Sequence, residues 1–155
     1  MIYVSRYSNP ELKTGKYTVV AISKGIPKWE LGYQLAGQIR ELAPAGYLMH
    51  EQNRDKFASG YIFQLDKLGE IGVQMLINKF KPNERDVVLC CFEDIRNPEL
   101  FCHRTYLARW LHKRAGVEVQ ELYDPTANKW EKKATPKKEV AGKQPGPELD
   151  QIRLW

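Results

Sequence analysis

The sequence predicts an α/β domain, a mostly parallel sheet flanked by helices in three layers, followed by a basic C-terminal tail. Two observations carry this. Short apolar runs rich in β-branched residues stand between turn signals at 16–23 ("KYTVVAIS"), 86–92 ("DVVLCCF") and 117–123 ("VEVQELY"). Between them, apolar residues recur at intervals of three and four. The order strand, helices, strand, helix, strand demands helical crossovers between parallel strands.

Ahead of the first strand, "IYVSRY" reads as a short additional strand. After it, Lys24-Gly25-Ile26-Pro27 is turn chemistry. Leu31, Leu35, Ile39 and Leu42 then predict a helix over 29–42, ended by Pro44 and Gly46, with its first part either helix or loop. "GYLMHE" is a short strand or a connector. Phe57, Tyr61 and Leu65 predict a helix opened by Asn53, continuing through Ile71, Met75, Leu76 and Phe80 and stopped at Lys81-Pro82-Asn83. "DVVLCCF" is apolar on both faces, as a covered parallel strand is. Asn97-Pro98 predicts the cap and first residue of a helix running to Ala115, with Gly116 just beyond its end.

The chain of 155 residues suits one domain, expected over residues 1–124, with a basic, Pro- and Lys-rich, partly irregular tail over 125–155. No apolar run approaches the roughly 20 residues of a membrane span, and the N-terminus lacks a signal-peptide core. Three cysteines, an odd number, suit a reducing compartment, so a cytoplasmic location is expected. Net charge is +5, of which the tail, with seven Lys/Arg and four Asp/Glu, supplies +3.

The chemistry concentrates in "VVLCCFEDIRNPELFCHRTYLARWLHKRAG". Side chains alternate along a strand, so Leu89, Cys91 and Glu93 share one face and Val88, Cys90 and Phe92 the other. Glu93 lies at the carboxyl end of its strand, where open α/β sheets collect ligands, and the connection from it leads to Cys102, His103 and Arg104. Arg104 suits a phosphate or carboxylate, Glu93 a hydroxyl or amine, and His103 a proton transfer. A cation or helix start beside Cys102 would make its thiol reactive. Ser23 and Lys24, at the carboxyl end of the first strand, form the opposite wall. Each has a bland alternative: Cys102 as a small buried side chain, and Arg104 as the partner of Glu93 in a brace. Cys90 and Cys91 read as core. No metal is expected, because adjacent helical residues diverge by ~100°, which keeps Cys102 and His103 from one ion. The sequence points to no particular cofactor and leaves the oligomeric state open.

Residues 17–123 resemble the family called domain of unknown function 488. Its hallmark is a strand ending in Cys-x-Glu and a helix opened by Cys-His-Arg, which Cys91, Glu93, Cys102, His103 and Arg104 match; "VVAISKGIPKWE" and "LAPAGYLM" match more loosely. The link between Glu93 and Cys102 is longer than the family's, and Ser23-Lys24 stands where many members carry an acidic then a basic residue. The resemblance implies an α/β fold with a shared polar site and no particular reaction.

The functional expectation is a small enzyme or binder acting on a nucleotide-like or other anionic small molecule. Glu93, Cys102 and His103 would be catalytic, and Arg104, Ser23 and Lys24 would bind the ligand. The alternative is a non-catalytic nucleic-acid-binding accessory protein using the basic tail with Trp130. Filter binding separates the two: the tail reading expects affinity that falls steeply with salt and vanishes on deletion of residues 125–155.

Overall fold

The computed structural model describes residues 1–81 and 84–131. Five strands form one all-parallel sheet: β1 (Ile2–Arg6), β2 (Tyr17–Ala21), β3 (Gly37–Gln38), β4 (Asp86–Cys91) and β5 (Val119–Glu121). Their order across the sheet is β3-β2-β4-β1-β5. Helix α1 (Arg54–Asn78) connects β3 to β4, and α2 (His103–Ala115) connects β4 to β5. The domain is thus α/β as expected, and "IYVSR" is indeed a strand, paired on both sides.

β4 lies between β2 and β1, and its residues from Val87 to Cys91 are fully buried. That explains why "VVLCC" is apolar without alternation. Val87 and Leu89 face α1 and α2, in a core with Val20, Ile22, Leu65, Leu107 and Trp110. Val88 and Cys90 face the opposite way, toward Tyr7, Leu12 and Val19. Both α-helices cover the first face. The second is covered by a 3-10 turn (Pro10–Thr14) and by Leu31, Tyr33 and Leu35.

The helix expected over 29–42 is not formed. The chain there is irregular, makes the two-residue edge strand β3, and then a 3-10 turn at Arg40–Leu42. The apolar residues that suggested a helical face belong to opposite sides of the sheet. Leu31 and Leu35 pack on one, Ile39 and Leu42 on the other. Gly32 adopts φ 83°, which a helix does not contain. Gly37 is required by its neighbour: a Cβ there would stand 2.7 Å from the Phe80 ring.

Asn53 caps α1, accepting from the Lys56 amide at 3.0 Å. The helix breaks at Gly69 (φ 80°, ψ 157°). The apolar stripe changes register across this break: Val73 and Ile77 are buried, while Ile71 and Met75 are exposed. The start of α2 also differs from expectation. Asn97 caps only a turn, accepting from Glu99 N at 3.0 Å, and the helix begins at His103 with Cys102 as its cap. Gly116 closes it in the left-handed conformation (φ 67°), as expected. Asp66 ties the helices together, accepting from Trp110 Nε1 at 2.9 Å and from Arg114 at 2.8 Å.

Among the described residues no helix is long and apolar enough to cross a membrane. Of the basic tail, only 125–131 is described, and the expectation for 132–155 lies outside the described residues. Residues 124–126 are held by charge. Arg6 donates to Asp124 at 2.7 Å, Arg96 donates to Asp94 at 2.9 Å, and both arginines reach Thr126. The Arg96 hydrogen bonds to Asp94 hold its carboxyl below the ordinary 3.8. A depressed carboxyl stabilises the fold above the unfolded value, and that contribution disappears as pH falls through the folded value. Urea unfolding at about pH 5 and about pH 3 is therefore expected to show a larger loss of stability for wild type than for Asp94→Asn.

Candidate functional site

Parallel strands place all their carboxyl ends on one side, and this sheet opens there between β2 and β4. After β2 the chain turns toward β3 over one face, through Leu31 and Leu35. After β4 it turns the other way, through α2 on the opposite face, to reach β5. Two neighbouring strands whose connections diverge leave a crevice between them. A hollow of about 230 Å³ occupies that crevice, with Ser23, Lys24 and Gly25 on the β2 side and Cys91, Phe92 and Glu93 on the β4 side. Cys102 and His103 close it from α2, and Leu48, Phe57 and Phe101 supply apolar wall.

Five of the six site residues expected from sequence therefore share one hollow: Ser23, Lys24, Glu93, Cys102 and His103. Arg104 does not line it. Its side chain is 1% exposed and packs behind the cysteines. Nε and Nη2 donate to the Glu121 carboxylate at 3.1 and 2.8 Å, and Nη1 donates to Glu93 O at 2.8 Å and to Cys91 Sγ at 3.1 Å. A guanidinium so engaged braces β4, α2 and β5. Of the two readings of Arg104, ligand-holding cation or brace, the geometry is that of a brace, but with a different partner from the Glu93 carboxylate: Glu93 contributes its carbonyl, and Glu121 contributes the charge.

Ser23 is also committed. Its hydroxyl donates to Gly25 O at 2.6 Å, so Tyr7 Oη, 2.5 Å away, must be the donor to Ser23 Oγ. Burial pushes the Tyr7 phenol up to about 12, which keeps this donor protonated. Gln38 Nε2 donates to the carbonyls of Ser23 and Lys24. The β2 turn is thus rigid, and Lys24, exposed at its tip, is the cation on the hollow's wall.

Cys102 caps α2 from extended backbone (φ −139°, ψ 143°) and makes no side-chain cap bond. It is therefore not a helical neighbour of His103, and the ~100° divergence argued from sequence does not apply. Cys91 and Cys102 are paired as a disulfide, and His103 Nδ1 lies 3.7 Å from Cys102 Sγ. The three ligand atoms lie within 4.8 Å of one another. Cys91, read as core from sequence, is buried but belongs to this cluster. The signal was its place on the Glu93 face, two residues earlier. Cys90, on the other face, is core as expected, its thiol pushed far up by burial.

His103 Nε2 is 2.7 Å from Ile22 O. A carbonyl only accepts, so Nε2 carries the proton and Nδ1 holds the lone pair. Burial keeps the ring neutral, its pKa lowered to about 4. Phe92, which lines the hollow, meets Trp29 edge to face with ring centroids 5.9 Å apart, both rings about half exposed. Comparison with known proteins identifies no match among family models, curated proteins or solved structures.

The Arg104–Glu121 pair has unequal members: the cation is 1% exposed and the carboxylate 38%. Removing the anion strands a charge in the interior, whereas removing the cation leaves a carboxylate that water can reach. In urea unfolding, Glu121→Ala is expected to cost about 2–3 kcal/mol and Arg104→Met on the order of 1 kcal/mol. The reverse order would show that the bonds to Cys91 and Glu93 outweigh the ion pair.

Proposed function

We propose that this protein is an enzyme or binder acting on a nucleotide-like or other anionic small molecule in the hollow between β2 and β4. The observation that carries the reading is the assembly of Lys24, Glu93, Cys102 and His103 around one crevice at the carboxyl ends of two parallel strands. Lys24 supplies the charge for the anion, in place of Arg104. The first two residues of α2, His103 and Arg104, add amides that precede the first helical hydrogen bond, which Thr105 N makes to Cys102 O at 3.1 Å, on a helix whose cap residue makes no side-chain bond. Phe92 on the wall, backed by Trp29, offers ring surface to a planar base. Glu93, partly exposed, orients or deprotonates a hydroxyl or amine. His103, on the same hollow, is too weakly basic at neutral pH to take that role, and serves by position. Cys102 becomes a nucleophile only when its bond to Cys91 is open. The likeness to the domain of unknown function 488 family rests on Cys91, Glu93, Cys102, His103 and Arg104, which here surround the same hollow and its back wall.

A thermal-shift screen of nucleotides and sugar phosphates tests the reading, run on metal-free wild type, Lys24→Ala and Glu93→Ala. At about 100-fold excess over Kd, a true ligand is expected to raise the wild-type Tm by about 5 °C or more and to shift the variants far less. No shift with any compound, or equal shifts in all three proteins, removes it. A shift produced only by single-stranded oligonucleotides, and abolished by truncation of the tail, favours the nucleic-acid reading.

A further inference from the structure

We propose that the reduced Cys91–Cys102 pair and His103 form a binding site for one thiolate-seeking divalent cation, zinc or iron(II), with a fourth position open to the hollow. The inference goes beyond the ligand reading and does not depend on it.

Four observations converge. The sulfurs of Cys91 and Cys102 and a nitrogen of His103 form a buried cluster within 4.8 Å. The His103 nitrogen in the cluster is the one with the free lone pair, because Nε2 donates to Ile22 O at 2.7 Å. Metal-bound histidines are held in this way, the far N–H fixed by a backbone carbonyl. Nδ1 stands 3.7 Å from Cys102 Sγ. A tetrahedral ion with bonds of about 2.3 Å to sulfur and about 2.1 Å to nitrogen requires roughly 3.6 Å between those atoms. Third, the Cα atoms of Cys91 and Cys102 are 7.6 Å apart. Disulfides usually span about 4.4–6.8 Å between Cα atoms, so the backbone accommodates two sulfurs with an ion between them.

The fourth observation is electrostatic. Arg104 Nη1 donates to Cys91 Sγ at 3.1 Å, a bond that is charge-assisted when the sulfur is a thiolate. Two thiolates and a divalent ion sum to zero, and Arg104 with Glu121 also sums to zero, so the buried site carries no net charge. Two sulfurs and one imidazole select zinc or iron(II) over magnesium or calcium. Three protein ligands, rather than four, are the pattern of sites that bind water or substrate at the remaining position. Here that position opens to the hollow, with Glu93 on its wall but outside the ligand cluster.

The pairing and the metal site are alternative states of the same sulfurs. A dithiol reductant delivers two electrons and two protons, breaking the S–S bond, and becomes a cyclic disulfide itself. The two thiols then bind the cation as thiolates and release two protons.

The test uses full-length protein, reduced and held under anaerobic conditions, loaded with Zn(II) or Co(II) and freed of excess ion. Wild type is expected to retain about one ion per chain. Its Co(II) form should show intense tetrahedral d–d bands and sulfur-to-cobalt charge transfer. Cys91→Ser and Cys102→Ser should each lose about half of the charge-transfer intensity, one of the two cobalt–sulfur bonds being gone, and bind at least about tenfold more weakly; Arg104→Lys, a positioning change, should also bind at least about tenfold more weakly but keep the charge transfer. Cys90→Ala should keep one ion. Far-UV circular dichroism checks that each variant is folded. Wild type that takes up no ion overturns the proposal, whatever the variants do. So does wild-type Co(II) protein without charge transfer, or Cys91→Ser and Cys102→Ser variants that hold the ion as tightly as wild type. Metal retained in a protein that shows no nucleotide response sinks the ligand reading alone.

Discussion

The architecture around the hollow depends on one buried guanidinium. Arg104 leaves the first turn of α2 and reaches the carboxylate of Glu121 on β5, the carbonyl of Glu93 just past β4, and the sulfur of Cys91 at the end of β4. Fixed donors of a planar cation allow little rotation, so the three elements are held at a set distance and angle. Because the cation is buried, each of its bonds is costly to break, and the wall of the hollow inherits that rigidity.

The sheet topology then decides where a site can exist. β2 and β4 are neighbours whose following segments run to opposite faces and away from each other, toward β3 and toward β5, and there the carboxyl edge parts. Ser23, Lys24, Cys91, Glu93, Cys102 and His103 all fall at that parting. The β2 turn is locked by Tyr7, Ser23 and Gln38, and the β4 end is locked by Arg104. Between these two braced walls the side chains with unsettled chemistry are Lys24, Glu93 and the Cys91–Cys102–His103 cluster. A rigid frame around a few adaptable groups is what orientation of a small ligand or an ion requires.

The cap position of Cys102 links fold to chemistry. A cap residue has extended backbone, and its side chain projects independently of the helix that follows. This lets Cys102 meet Cys91 on the strand while His103, the first helical residue, swings toward Ile22 just past β2. A helix begun at Asn97 would have turned these two side chains apart.

Much was determined by the sequence alone. Unbroken apolar runs made strands of 17–21 and 86–91, and period-two alternation put Leu89 and Cys91 on a different face from Val88 and Cys90. Turn residues placed Ser23, Lys24 and Glu93 at carboxyl ends. These are local properties, written in neighbouring side chains and backbone preferences. What tertiary structure decided is every question of partner. Leu31 and Ile39 have helical spacing, yet the edge of the sheet runs between them. Arg104 and Glu93 are suitably typed for an ion pair, yet Glu121, near the far end of the same crossover, takes the guanidinium. Cys91 looks like core, yet the cap of α2 brings Cys102 to it. Spacing along a chain specifies which faces are apolar. Which distant charge or sulfur arrives at a given point depends on how whole elements pack, and no window of sequence contains that.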